Sequence, residues 1–263
     1  MKLIDFHTHI YPDAVALKAT QSVEDFYDSE ALCVGTQKEL ERVNALSGVE
    51  LSVILPVAVK PSGVVHINDY ALSVQKDNPR FCSFGTIHAA MENIEDEAIR
   101  ICANGLHGIK LHPDTQFFDI DDSRMFPVYD IIQGKIPLIV HAGDPRYSYS
   151  HPSRLRRVME NFPSLVCIAA HFGGWSMVDE GIRNLADKEN CYVDMSSSFK
   201  WNTEEKLNEA VFAYGEDRVL FGSDFPLGSP VVEKENLIKM KISDEAKEKI
   251  AYKNAERLLG IKI

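Results

Sequence analysis

Short apolar runs recur along the whole chain, each ending in polar residues and most followed by a stretch with helical spacing. Eight of them read as strands: Leu3–His7, Leu51–Val57, Phe81–Thr86, Gly108–His112, Pro137–His141, Leu165–His171, Cys191–Ser196 and Arg218–Asp224. The stretches between them read as helices: Lys38–Ser47, Asp69–Asp77, Asn93–Ala103, Arg124–Gln133, Ser153–Glu160, Met177–Lys188, Glu204–Tyr214 and Asp244–Leu259. The first of these has Thr36 and Glu39 at capping-box spacing and Gly48 after its end; the last has Ser243 as N-cap and Gly260 as stop. Strand alternating with helix predicts βαβ units and a parallel sheet. Eight such units in 263 residues is the count of a (β/α)8 TIM barrel, α/β in class, with one domain over residues 1–263. A doubly wound sheet would call for a glycine-rich turn after an early strand, and the first strand ends instead in His7-Thr8-His9.

The chemistry-bearing residues gather at one end of these strands. His7 and His9 close the first, Lys110 and His112 the fourth, His141 the fifth, His171 the sixth, Ser196 the seventh and Asp224 the eighth. In a barrel, that rim carries the active site. Strand side chains alternate faces, which places His7 with His9, and Lys110 with His112, on the inner face, with Ile109, Leu111, Leu138 and Val140 facing outer helices. The same count puts Asp5 on the face of His7, one layer deeper, and turns Cys167 inward. Two imidazoles at i, i+2 can share a metal ion, and further histidines with one carboxylate at neighbouring strand ends make a ligand set suited to Zn²⁺, with Mn²⁺, Fe²⁺ and Co²⁺ as alternatives.

Composition narrows the setting. Hydrophobic residues make up 45% and charged residues 25%, ordinary for a globular chain. The formal charge of −11 disfavours a nucleic-acid backbone as partner, so a small-molecule substrate is expected. No apolar run approaches a membrane span, and Met1–Asp5 shows no leader core, so no membrane association is expected. The five cysteines are scattered without a C-x-x-C pair, which suits reduced thiols and a cytoplasmic protein.

Six stretches resemble the amidohydrolase superfamily, and more closely its amidohydrolase-2 branch, which also holds metal-dependent decarboxylases. They are Asp5-Phe6-His7-Thr8-His9, Gly108-Ile109-Lys110-Leu111-His112-Pro113, Val140-His141-Ala142-Gly143, Ala170-His171-Phe172-Gly173-Gly174, Phe221-Gly222-Ser223-Asp224-Phe225-Pro226 and Asn254-Ala255-Glu256-Arg257-Leu258-Leu259. The resemblance implies His7, His9 and His141 as metal ligands. It implies Asp224 as a further ligand, or as the group that deprotonates the attacking water, and His171 as the catalytic histidine or a ligand of a second ion. Lys110 would pair with a substrate anion in one-metal members, or bridge two ions as a carboxylated lysine; the Lys-Leu-His-Pro context favours one ion per chain. A homodimer is a further implication.

The activity this implies first is a metal-dependent hydrolase, in which a metal-activated water attacks an amide, ester or lactone carbonyl. The alternative is a decarboxylase or hydratase of a small carboxylated substrate on the same barrel. A metal-dependent phosphodiesterase and a non-catalytic ligand-binding barrel come after these. Lys110, His112 and Arg146 are the expected substrate contacts, Arg146 because a guanidinium fork matches a carboxylate. Asp5 is expected to orient an imidazole or to be satisfied by backbone, and Trp175 and Trp201 to form pocket walls or simply to pack. The segment from Ile10 to Gly35 is expected to be a long connection over the site.

Overall fold

The computed structural model describes residues 1–263. Eight parallel strands form the barrel wall: β1 (Leu3–Thr8), β2 (Val49–Ile54), β3 (Phe81–Ser83 and, after Phe84, Gly85–Thr86), β4 (Ile109–Leu111), β5 (Leu138–Val140), β6 (Cys167–Ala169), β7 (Cys191–Asp194) and β8 (Val219–Leu220). Each pairs with its sequence neighbour. The ladder changes partner at Phe84, whose N–H donates to Ile54 while Gly85 N–H donates to Gly108 (2.9 and 2.8 Å). Closure between β8 and β1 runs through Phe6 N–H to Phe221 O (2.9 Å) and Asp224 N–H to His7 O (2.8 Å), with a parallel bridge between Thr8 and Phe225. The result is the TIM barrel that the eight-fold alternation predicts.

Alternation sorts the apolar residues into two layers. Ile4, Phe6, Val53, Phe84, Ile139, Ile168 and Leu220 fill the barrel interior. Ile109, Leu111, Leu138, Val140, Cys167, Ala169, Val193 and Phe221 face the helices, in a cluster of 42 buried residues. Cys167 therefore points outward, against expectation. His171 has φ 59° and opens a 3-10 turn, so strand parity does not carry from it back to Cys167. The β1 ladder is likewise irregular between Asp5 and Thr8, which lets Phe6 fill the interior while His7 and His9 still reach the cleft.

The segment from Ile10 to Gly35 holds a helix, α1 (Asp13–Tyr27), instead of an irregular loop. Its apolar stripe, Val15, Ala19, Val23 and Phe26, borders an open cleft instead of the core. Helix α2 (Gln37–Ser47) starts as its signature predicts, with Glu39 N–H donating to Thr36 Oγ1 (3.1 Å) and Gly48 ending it at φ 80°. The box is half made, because the Glu39 carboxylate goes to Arg42. The terminal helix begins at Ser243 as expected but contains a π turn over Lys249–Lys253. Asn254 N–H closes on Lys249 O, which frees the Ile250 carbonyl to accept from Phe221 N–H of the barrel (2.9 Å). No helix is long and apolar enough to cross a membrane.

Asn254 completes that seam. Its buried Nδ2 donates to Glu216 O (2.7 Å) and Val219 O (2.8 Å), tying the terminal helix to the start of β8. Asn254→Ala leaves both carbonyls short of a donor and is expected to cost about 1–3 kcal/mol. Thermal or urea unfolding checks this, and an unchanged midpoint would refute the seam's importance.

Candidate active site

His7, His9, Lys110, His112, His141, His171 and Asp224 all reach one cleft at the C-terminal rim of the barrel. The cleft measures about 580 Å³. One wall is α1, through Val15, Ala19, Val23, Phe26 and Tyr27; Val57, Val59 and Phe117 face it. Tyr27, His141, His171 and Asp224 also border a second chamber of about 410 Å³, lined by Trp175, Ser197, Lys200, Trp201, Glu233 and Asn236. Trp175 and Trp201 meet edge to face there, with centroids 5.2 Å apart.

Each imidazole of the His7–His9 pair is anchored at Nδ1. His7 Nδ1 lies 2.9 Å from Asp194 Oδ2 and His9 Nδ1 lies 2.5 Å from the Leu55 carbonyl. Both acceptors fix the proton on Nδ1 and leave the Nε2 lone pairs facing the cleft. These stand 3.6 and 3.5 Å from Asp224 Oδ1. Lys110 Nζ lies 3.1 Å from His7 Nε2 and donates to that lone pair. Burial, then the Lys110 charge, lowers the His7 pKa to about 3, so the ring is neutral. Burial also lowers Lys110 to about 8, against the pull of Asp194 and Asp224. For Asp224, burial alone would raise the pKa, but His9, His7 and His171 around it hold it well below the usual range. Its Oδ2 accepts from Ser197 Oγ (2.6 Å).

Two inward lone pairs and an ionised carboxylate form the donor set of a divalent cation. His7, His9 and Asp224 could together hold such an ion. His141 sits one position away. Its Nδ1 lies 3.1 Å from His171 Nε2, and its ring stacks on His112 at 4.1 Å and 7°. His171 Nδ1 donates to the Ser196 carbonyl (3.0 Å), which turns Nε2 toward His141. Close approach of the rim loops is what allows this. Gly143, after His141, has φ 88°, and a Cβ there would lie 2.4 Å from Gly174 backbone, just beyond His171.

One expectation changes and two are narrowed. Arg146 does not face the cleft: its guanidinium grips Asp144 (3.0 and 2.6 Å), donates to the Phe26 carbonyl (2.6 Å) and lies over the Phe26 ring. A buried carboxylate two residues away claims the fork before a substrate can, and Arg146 thereby pins the end of α1. His112 does line the cleft, but its Nε2 is engaged by Tyr27 Oη at 2.6 Å. Asp5 takes the backbone alternative, accepting from His7 N–H, Ser223 N–H and Ser223 Oγ. The residue that orients His7 is Asp194, which went unsingled in the sequence. Its place, two residues before Ser196 on an otherwise apolar strand, was the available signal. Tyr27 was not singled out, since its segment was read as a long connection over the site.

With this geometry in hand, comparison with known proteins gives the family. The model for Amidohydrolase, of the amidohydrolase-2 type, matches residues 4–261, and the chain belongs to that family of metal-dependent enzymes. Among solved structures, an uncharacterized Tim-barrel protein from Bordetella bronchiseptica is similar over 99% of both chains, at 24% identity and TM-score 0.82. A 5-carboxyvanillate decarboxylase from Sphingomonas paucimobilis is similar over 99% of both chains, at 16% identity and TM-score 0.77. A dihydroxybenzoic acid decarboxylase from Polaromonas, solved with manganese and 2-nitroresorcinol, is similar over 98% of this chain and 97% of its own, at 16% identity and TM-score 0.77.

Glu233 in the second chamber gives a pH test on a residue outside the proposed ligand set. Burial, reinforced by Asp5, Asp224 and Asp194, raises its pKa from 4.5 to about 8, and a hydrogen bond from Asn236 offsets part of this. The unfolded chain releases this proton near 4.5 and the folded chain near 8, so its contribution to stability is full below the lower value and lost as pH rises through the upper. Wild type is expected to lose stability relative to Glu233→Gln between about pH 5 and 8. Denaturant unfolding at several pH values checks the sign, and parallel curves would refute it.

Proposed function

We propose that this protein is a metal-dependent, non-oxidative decarboxylase of a small carboxylic acid with a largely apolar body. The observation that carries this is the shape of the main cleft: apolar walls from α1, Val57, Val59 and Phe117 close on Lys110 and the His7–His9–Asp224 group. An apolar body suits those walls, and its anionic group suits the buried ammonium at the floor. A carboxylate carried into such a cleft loses hydration, and leaving as neutral CO2 relieves that cost. The two decarboxylases of like fold are named for aromatic acids, which supports the choice.

His7, His9 and Asp224 would hold one divalent ion, with His141 completing the set. The ion supplies Lewis-acid polarisation of a substrate oxygen. The mixed imidazole and carboxylate donors suit Zn²⁺ and Mn²⁺, and both belong in the test. Lys110 Nζ receives the anionic group. The C–C bond breaks, CO2 departs, the electron pair stays on the substrate carbon and a proton quenches it; His171, which lines both chambers, would supply that proton. Tyr27 and Arg146 keep α1 seated over the cleft and so limit water. Hydrolysis of an amide, ester or lactone is the second reading, favoured by the more polar second chamber, which also borders Asp224.

The test is a panel of aromatic and aliphatic carboxylates, amides, esters and lactones, offered to protein loaded with Zn²⁺ or Mn²⁺. CO2 release and proton release are recorded in parallel. CO2 release from an aromatic acid is expected, with kcat/KM falling about 10²–10³-fold in Lys110→Met. Metal analysis is expected to give about one ion per chain, and His9→Ala to lose it. Proton release from a lactone or ester without any CO2 would replace this reading with hydrolysis.

A further inference from the structure

The outward side of His141 is unsettled in a way the proposed chemistry does not explain. Its Nε2 is buried and has no hydrogen-bond partner. Asp114, in the single helical turn Pro113–Gln116 after β4, is fully buried, and neither carboxylate oxygen makes a well-formed hydrogen bond, the Ser150 hydroxyl and N–H approaching it only loosely. These groups face each other, with Asp114 Oδ2 3.8 Å from His141 Nε2. Buried polar atoms without partners are rare, and two facing each other within about 1 Å of hydrogen-bond distance form an unmade pair. Asp144 is the other carboxylate nearby, and Arg146 claims it through its backbone N–H and guanidinium. Stacking on His112 restrains the His141 ring, so a small turn of Asp114 is the movement that closes the gap.

We propose that Asp114 is the positioning residue for His141, its carboxylate accepting the Nε2–H. That contact draws the ring proton from Nδ1, where it meets the His171 Nε2 lone pair at 3.1 Å, to the outer side, and frees the Nδ1 lone pair for the ion. A carboxylate behind a ligand imidazole fixes its tautomer and raises its basicity. Asp194 already does the equivalent for His7 at 2.9 Å, but from the Nδ1 side, so the two rings offer opposite nitrogens. The inference rests on the proposal that His141 serves the metal.

The test uses the full-length protein, stripped of metal and reloaded with Zn²⁺, in wild type, Asp114→Ala, Asp114→Asn and His9→Ala. Chelator competition gives the affinity, and ¹⁵N spectra of histidine-labelled protein give the state of His141. Asp114→Ala is expected to bind Zn²⁺ about 10–100-fold more weakly. Asp114→Asn keeps the volume and an accepting oxygen, so it is expected to recover part of the loss. Wild type loaded with Zn²⁺ is expected to show a protonated Nε2 on His141, and Asp114→Ala to lose that signature. An Asp114→Ala protein with affinity within about twofold of wild type and an unchanged His141 spectrum would overturn the inference while leaving the metal reading intact. A wild type that folds but binds no ion would overturn the metal reading, and this one with it. A second ion bound by wild type and lost in Asp114→Ala, with the first unaffected, would overturn it in favour of a second cation site among Asp114, His141 and Asp144.

Discussion

A carboxylate buried without water must receive its hydrogens from the protein, and at Asp194 they come from three separate parts of the chain. Oδ2 accepts from His7 on β1, and Oδ1 accepts from the backbone of His171 after β6 and of Ser196 after β7, and from Ser196 Oγ. Burial works against the charge, but these donors hold the pKa well below the usual range. An ionised acceptor at that place decides which nitrogen of His7 carries the proton, and so which lone pair enters the cleft. It also draws the ends of three strands to within hydrogen-bond reach of one atom group. Gly222 lets this happen, since a Cβ there would lie 3.0 Å from His7 Cβ and 3.4 Å from Asp194 Oδ1.

What the sequence revealed follows from how local the controlling physics is. The eight strands were legible because each is an apolar run with a polar end, and strand parity placed Lys110 and His112 toward the interior. Parity failed where the backbone left the regular ladder: at Asp5–Thr8, where a register shift sends Asp5 to Ser223, and at His171, where a left-handed residue separates the strand from its terminal side chain. Asp194 was passed over for Ser196 because the strand end was drawn two residues late. The π turn in the last helix answers to a barrel amide at Phe221, about thirty residues away in sequence, and no local pattern announces it.

The cleft walls were the least legible part. Val15, Ala19, Val23 and Phe26 repeat at helical spacing, yet they border open space beside a floor of imidazoles, and their meaning comes only from the facing Val57, Val59 and Phe117. Arg146 illustrates the same limit. As a residue type it suits a carboxylate substrate, but Asp144 sits two residues before it and the end of α1 lies across from it, so tertiary placement commits it to holding the wall. The net charge of −11 is equally uninformative about the site, whose nearest cation, Lys110, is wholly buried among groups the total does not describe.

Backbone conformation carries the same division between scaffold and site. Eight residues other than glycine adopt positive φ, and Phe117, His171, Trp175, Ser197 and Asp224 among them line the two chambers. Such conformations are unfavourable for residues with a Cβ and persist where their surroundings over-determine them. Here the restraints are specific: Asp224 N–H donates to His7 O, Ser197 Oγ to Asp224, His171 N–H to Asp194, and Asn202 Nδ2 to Trp175 O. The apolar layer between barrel and helices offsets their cost and lies on the other face of the strands from most of them. That separation lets the rim hold strained turns, a buried lysine and facing lone pairs without disturbing the packing that keeps the strands in register.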